Sequence, residues 1–147
     1  MNTLIQSIEV KCSRSNLKSI RNFVTECLKH TLIDEINTNL IVLAIDEICA
    51  NKIIHAHSEN TSESIKLRIC ISKNQSDNLV FEIIDHGLPF DPSSYSTPSI
   101  HELINKKEKG SLGLIMVHKI MDKVEFDQSE DGNVCKLYKA IPRPKVA

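Results

Sequence analysis

Along Thr3–Lys11, Leu4, Ile8 and Val10 alternate with Ser7, Glu9 and Lys11. A period of two predicts a half-buried strand. The period then changes. Leu17, Ile20, Phe23, Val24, Cys27 and Leu28 recur at helical spacing, with Ser15 or Asn16 placed to cap the helix. A longer stretch, about Ile36–His55, is apolar almost all round, which predicts a deeply buried second helix. Past the polar Glu59–Ser64, alternation returns over Ser64–Ser72, with Ile65, Leu67, Ile69 and Ile71 on one side and Lys66 and Arg68 on the other. A polar turn over Lys73–Asn78 leads into a strand at Leu79–Asp85. Gly87, Pro89 and Pro92 mark Gly87–Thr97 as loop. Pro98–Lys106 fits a short helix and Leu112–Met121 a full one. Lys123–Asp127 and Asn133–Ile141 read as strands joined across Asp131-Gly132, a strong hairpin signal.

The predicted order is therefore strand, helix, helix, strand, strand, loop, helix, strand, strand. Short polar turns between successive strands imply antiparallel pairing, and the helices then cover one face. The expected fold class is α/β (α+β): a two-layer sandwich with a mixed, mostly antiparallel sheet. No repeat or linker interrupts the 147 residues, so a single domain over 1–147 is expected.

Composition narrows the function. Net charge is −1 and the basic residues are scattered, which argues against nucleic acid as the main partner. No run approaches the roughly 18 apolar residues of a membrane span. Met1–Gln6 has no basic region leading into an apolar stretch, so no signal peptide is expected. Five cysteines, widely spaced and without a CxxC pair, read as free thiols in a reducing, cytoplasmic setting. Cys12, Cys27 and Cys49 occupy apolar positions and are expected in the core.

Three features break the local pattern, and such breaks are where function is expected. Glu47 and Asn51 lie one helical turn apart, on a face with Leu40, Leu43, Ala44 and Ile54. A carboxylate and an amide there need partners. Either Glu47 pairs with a lysine and Asn51 with backbone, or the two form a site for magnesium, which takes oxygen ligands. Asp85 falls on the same side as Leu79, Phe81 and Ile83, so it aims into the interior where the strand stops. Either it caps its own loop, or it accepts from a ligand amino group. Gly110-Ser111-Leu112-Gly113-Leu114 opens a helix, and free N–H groups there suit phosphate, with Lys106, Lys107 and Lys109 alongside.

In order, these segments resemble the three signature boxes of the GHKL ATPase superfamily, the Bergerat fold. Asp46-Glu47-Ile48-Cys49-Ala50-Asn51, followed by Lys52-Ile53-Ile54-His55-Ala56, is similar to the N box. Asp85-His86-Gly87-Leu88-Pro89-Phe90-Asp91-Pro92 is similar to the first glycine box, and Lys109-Gly110-Ser111-Leu112-Gly113-Leu114 to the second. The short form, with its leading strand and helix, resembles bacterial anti-sigma factors that are serine-protein kinases. That resemblance implies ATP and Mg2+ as cofactors, Glu47 as general base and Asn51 as the magnesium ligand. It implies Asp85 as acceptor for the adenine amino group, Gly87 and Pro89 in the nucleotide loop, and Lys109 to Leu114 around the phosphates. Ser111 departs from the common glycine. His55 is read as packing or as a contact near the nucleotide.

It also implies the partners: a small anti-sigma-factor antagonist as substrate, a sigma factor to sequester, and a homodimer. Two alternatives stand beside this reading. One is a nucleotide-binding sequestration module without kinase activity. The other is a histidine-kinase catalytic domain, against which His30 lacks a following acidic residue.

Overall fold

The structure is a computed structural model that describes residues 2–73, 76–86, 109–129 and 132–142. Its elements are β1 (Asn2–Lys11), α1 (Leu17–Leu28), α2 (Glu35–Asn51), β2 (Ser64–Lys73), β3 (Ser76–Asp85), α3 (Lys109–Ile120), β4 (Lys123–Ser129) and β5 (Gly132–Pro142). The strands form one sheet in the order β1-β2-β3-β5-β4. All four ladders are antiparallel, so the mixed sheet expected from sequence is purely antiparallel among the described residues. The reason is connectivity: strands joined by tight turns pair antiparallel, and β1 returns to β2 on the sheet edge. The short helix expected over Pro98–Lys106 lies outside the described residues.

Alternation places Ile65, Leu67, Ile69 and Ile71 of β2, and Leu79, Phe81 and Ile83 of β3, on the helix-covered face, nearly all of their surface buried. α1 answers with Ile20, Val24, Cys27 and Leu28, and α2 with Ile41, Ala44, Ile45, Ile48 and Cys49. Each set follows the helical rule of one apolar stripe. Burying one such side chain contributes about 1.5–3 kcal/mol, so these stripes hold the two layers together. An ion pair, Arg21 to Asp46 at 2.9 Å, ties α1 to α2 at the surface.

Two local expectations change. The first helical turn is capped by Ser13, whose hydroxyl accepts from Ser15 N–H. Asn16 makes no cap bond and instead donates its amide to the Lys11 carbonyl at 2.9 Å. The second change matters more. α2 is not buried all round: Ile36 is 74% exposed, and Leu40 and Leu43 are exposed too. These three recur at i, i+4 and i+7 and form a second, solvent-exposed stripe along the helix. Apolar residues are common on surfaces, so an apolar sequence alone did not make that face core.

α2 also stops earlier than its sequence pattern. After Asn51 the chain widens into a π-type turn over Lys52–Ala56, with His57 N–H donating to the Lys52 carbonyl at 2.9 Å. Ser58 and Glu59 then adopt left-handed backbone, at φ 49° and 54°, and reverse the chain toward β2. No helix among the described residues is long and apolar enough to cross a membrane.

Candidate functional site

The strand β3 delivers Asp85 to its last position, on the core side as its alternation requires, and the residue is 1% exposed. A buried carboxylate must find donors. Lys52 donates Nζ–H to Asp85 Oδ1 at 2.6 Å, and His57 Nε2 lies 2.8 Å from Asp85 Oδ2. His57 Nδ1 lies 2.6 Å from Glu63 Oε2, while Asn60 donates to Glu63 Oε1 at 3.0 Å. The π-type turn brings Lys52 and His57 to the same carboxylate. The left-handed pair Ser58–Glu59 swings Glu63 back against the ring. Neither alternative read for Asp85 from sequence included these donors, and its carboxylate is bonded across elements to Lys52 and His57.

Glu47 is built differently. Its carboxyl is hydrogen-bonded by the Asn51 side chain, one turn on. Burial first, then the neighbouring Asp46, raises its proton affinity above the usual carboxylate range, while the Asn51 bond and His55 work against that. No lysine pairs with it in the described ion pairs. Across from it stands Gly113 of α3. A Cβ at Gly113 would sit 1.9 Å from Glu47 Oε1 and 2.2 Å from Cδ, so glycine is what lets the carboxyl lie against α3. On the far side, Gly132 has φ +122°, and a Cβ there would stand 2.6 Å from the Asp85 carbonyl oxygen. β5 can therefore begin beside Asp85 only with glycine at that position.

The two clusters adjoin in sequence. Asn51 serves the first and Lys52 the second, so the junction of α2 with its π-type turn positions both. The oxygens of Glu47 and Asn51 fit a hard cation that keeps most of its water.

Comparison with known proteins decides the family. The Histidine kinase-like ATPase domain profile matches residues 11–139. This chain belongs to the histidine kinase-like ATPase domain family. It is 26% identical over 111 residues to the serine-protein kinase RsbW of Halalkalibacterium halodurans, an alignment covering 72% of this chain and 64% of that protein. The chain thus spans less than two thirds of that relative. Among solved structures, the RsbU and RsbW domains of Rv1364c from Mycobacterium tuberculosis superpose with a TM-score of 0.63 at 15% identity, covering 96% of this chain and 33% of that one. At that identity the likeness is one of fold.

The resemblance to GHKL ATPases read from the three boxes therefore holds, and the sandwich is the one expected of a histidine kinase-like ATPase domain. Of the residues singled out, Glu47, Asn51 and Gly113 come together, and Asp85 stands in its own buried cluster. His55 is exposed near Glu47. Leu114 is buried in the core, so its side chain packs. α3 begins at Lys109, so Gly110 and Gly113 lie within its first turns and not in a turn ahead of it. The side chains of Lys109, Ser111 and Leu112 lie outside the described residues, as do Gly87, Pro89, Lys106 and Lys107 altogether.

Three residues escaped the sequence reading: Lys52, His57 and Glu63. One signal for Lys52 was available, a lysine inside the apolar run Ile48–Ile54. Nothing local announced that the turn would widen and bring His57 beside it.

Cys12, Cys27 and Cys49 are buried, as expected of packing groups. Burial pushes the thiols of Cys49 and Cys135 up, Cys135 to about 12.

Proposed function

We propose that this chain binds ATP with Mg2+ and transfers phosphate to a serine hydroxyl of a small antagonist protein. The observation that carries this is Glu47: a carboxyl with raised proton affinity, held by Asn51 and pressed against Gly113, without a cation beside it among the described ion pairs. A carboxylate whose proton affinity is raised is a better proton acceptor than an ordinary one and suits general-base work. Glu47 takes the serine proton as the Oγ–P bond forms and the bond to the departing ADP breaks. Asn51 would hold a magnesium ion, whose charge would offset that of the phosphates. Asp85 accepts from the nucleobase amino group, and the first turns of α3, Gly110 to Leu114, meet the phosphates. The serine-protein kinase named among the relatives supports this chemistry. The antagonist, a sequestered sigma factor, the homodimer, the single-domain unit and a cytoplasmic setting extend the same likeness.

The test has two steps. Pull-down from the native organism, with and without ATP, identifies the partner, and γ-labelled ATP then reports phosphoserine on it. Glu47→Ala is expected to lower transfer by about 10²–10⁴-fold while ATP still binds. Transfer that survives the change removes Glu47 as base. ATP binding without any transfer in the wild type leaves a nucleotide-dependent sequestration module.

A further inference from the structure

α2 carries apolar side chains that the sheet does not use. Ile36, Leu40 and Leu43 are 74%, 39% and 46% exposed, and Leu32, just before the helix, is 62% exposed. Single surface leucines need no explanation, but a continuous apolar surface marks an interaction site. This surface is continuous. Leu40 also lines a groove of about 400 Å³ between α2 and α3, together with Ile115, Met116 and Ile120 of α3. Those three are half-buried, so the groove opens to solvent and is not part of the core. The groove also has a direction. α3 runs back along α2: Leu40 shares the groove with Met116 and Ile120, whereas Glu47, further along α2, meets Gly113 near the start of α3. At a rise of about 1.5 Å per residue, Leu40 lies about 10 Å and Ile36 about 16 Å along the helix axis from Glu47. The apolar surface therefore leads toward the Glu47 carboxyl.

Its charge is uneven. Lys119 and Lys139 line the groove, and no acidic side chain among the described residues does. Lys139 is engaged, donating to the Ile120 carbonyl at 2.8 Å and lying 3.7 Å from Asp122. Lys119 is exposed and takes part in no described ion pair. At the start of α2, Asp34 and Glu35 set two carboxylates beside Ile36. An anionic membrane would be attracted at the lysines and repelled at the carboxylates. A protein segment meets both conditions, because it can bring aliphatic side chains to the stripe and an acidic one to Lys119. Laying the apolar face of an amphipathic segment into a groove is a common mode of recognition.

We infer that this groove, with Ile36, Leu40 and Leu43 along its open side and Lys119 at its rim, docks the protein that receives the phosphate, through a segment of aliphatic side chains flanked by an acidic one. This rests on the phosphate-transfer reading above. Binding remote from the chemistry supplies orientation at the reacting centre. A docked segment here anchors the acceptor two to three helical turns from Glu47, close enough for the same small protein to present its serine there.

The experiment measures transfer from γ-labelled ATP to the acceptor protein isolated by the pull-down above, at increasing acceptor concentration, on the full chain. Calorimetry follows ATP affinity separately. Leu40→Ser combined with Leu43→Ser is expected to raise the KM for the acceptor about tenfold or more, with ATP affinity as in wild type. Lys119→Glu is expected to raise that KM about threefold or more and to flatten its rise with salt. Lys119 lies on the surface, so this variant carries the test alone if the double variant fails to fold. An unchanged acceptor KM in either folded variant overturns the inference. An equal loss of ATP affinity, the mark of a structural role, overturns it too. Self-association of the wild type that is lost in the double variant, with the acceptor KM unchanged, assigns the groove to a second copy of this chain and also overturns it. A wild type that transfers phosphate to no protein overturns the phosphate-transfer reading, and the inference with it.

Discussion

Two carboxylates one helix terminus apart have opposite surroundings. Asp85 is wholly buried and bonded by a lysine and a histidine. Glu47 is half-buried, next to another carboxylate, and bonded only by an amide among its described partners. The first environment favours a permanent anion and fixes its direction. The second penalises the anion and favours proton uptake. Environments that push two like groups apart are how acid–base roles are divided within a site. Here they give two carboxylates of one chain opposite surroundings.

The largest effect should come from Asp85. Asp85→Ala leaves Lys52 and His57 facing each other with no anion between them, and breaking a buried pair costs about 3–5 kcal/mol. Urea denaturation should show that loss. Adding Lys52→Met to the same chain should restore part of it, because the orphaned charge is then gone. Glu47→Ala, by contrast, should cost well under half as much. Equal losses at the two positions would erase the distinction drawn between them.

The next effect is on rate. Gly113→Ala sets a methyl against the Glu47 carboxyl, the mobile end of a side chain that can swing aside. Stability should hardly change, since alanine gains up to about 1 kcal/mol over glycine inside a helix and the displaced carboxyl offsets it. The phosphate transfer proposed above should fall by about 10- to 100-fold, or about 1.4–2.8 kcal/mol of barrier, because the proposed base has moved. A variant that melts like wild type and still transfers at full rate would show that Gly113 does not set the position of Glu47.

The sequence carried most of the frame. β2 and β3 were legible because strict alternation leaves one register, and one face, for the apolar set. α1 was legible because Ile20, Val24, Cys27 and Leu28 mark one stripe. Glu47, Asn51 and Asp85 stood out because polar groups interrupt those patterns. What stayed hidden depends on phase and distance. The exposure of Leu40 and Leu43 follows from which half of α2 meets the sheet, and composition cannot tell the two halves apart. The Lys52–Asp85–His57–Glu63 chain joins residues up to 33 positions apart through a π-type turn and two left-handed residues. No period in the sequence encodes that turn. Gly113 was legible as a glycine of a box, but its contact with Glu47 was visible only once α2 and α3 were packed.

The smallest effect concerns Glu47 itself and has a definite sign. Burial and Asp46 raise its proton affinity in the folded chain above that of the unfolded chain. The folded state therefore holds the proton to a higher pH. The stability this contributes is fully present below the unfolded carboxylate value and is lost as pH rises through the folded one. Once ionised, the part-buried Glu47 carboxylate is a burden that the fold tolerates. Glu47→Gln removes the charge and keeps an oxygen able to accept from Asn51. The variant should be more stable than wild type at neutral pH, by up to about 1 kcal/mol, as when strain is relieved at an active site. The gain should shrink as pH falls into the acid range, where the wild-type carboxyl is neutral too. Thermal melts at neutral and acid pH read the difference directly. Asp85→Asn should move the other way, losing stability at neutral pH, because it takes the anion from between Lys52 and His57. If both amides stabilise the chain, or both destabilise it, the two carboxylates are not held in opposite states.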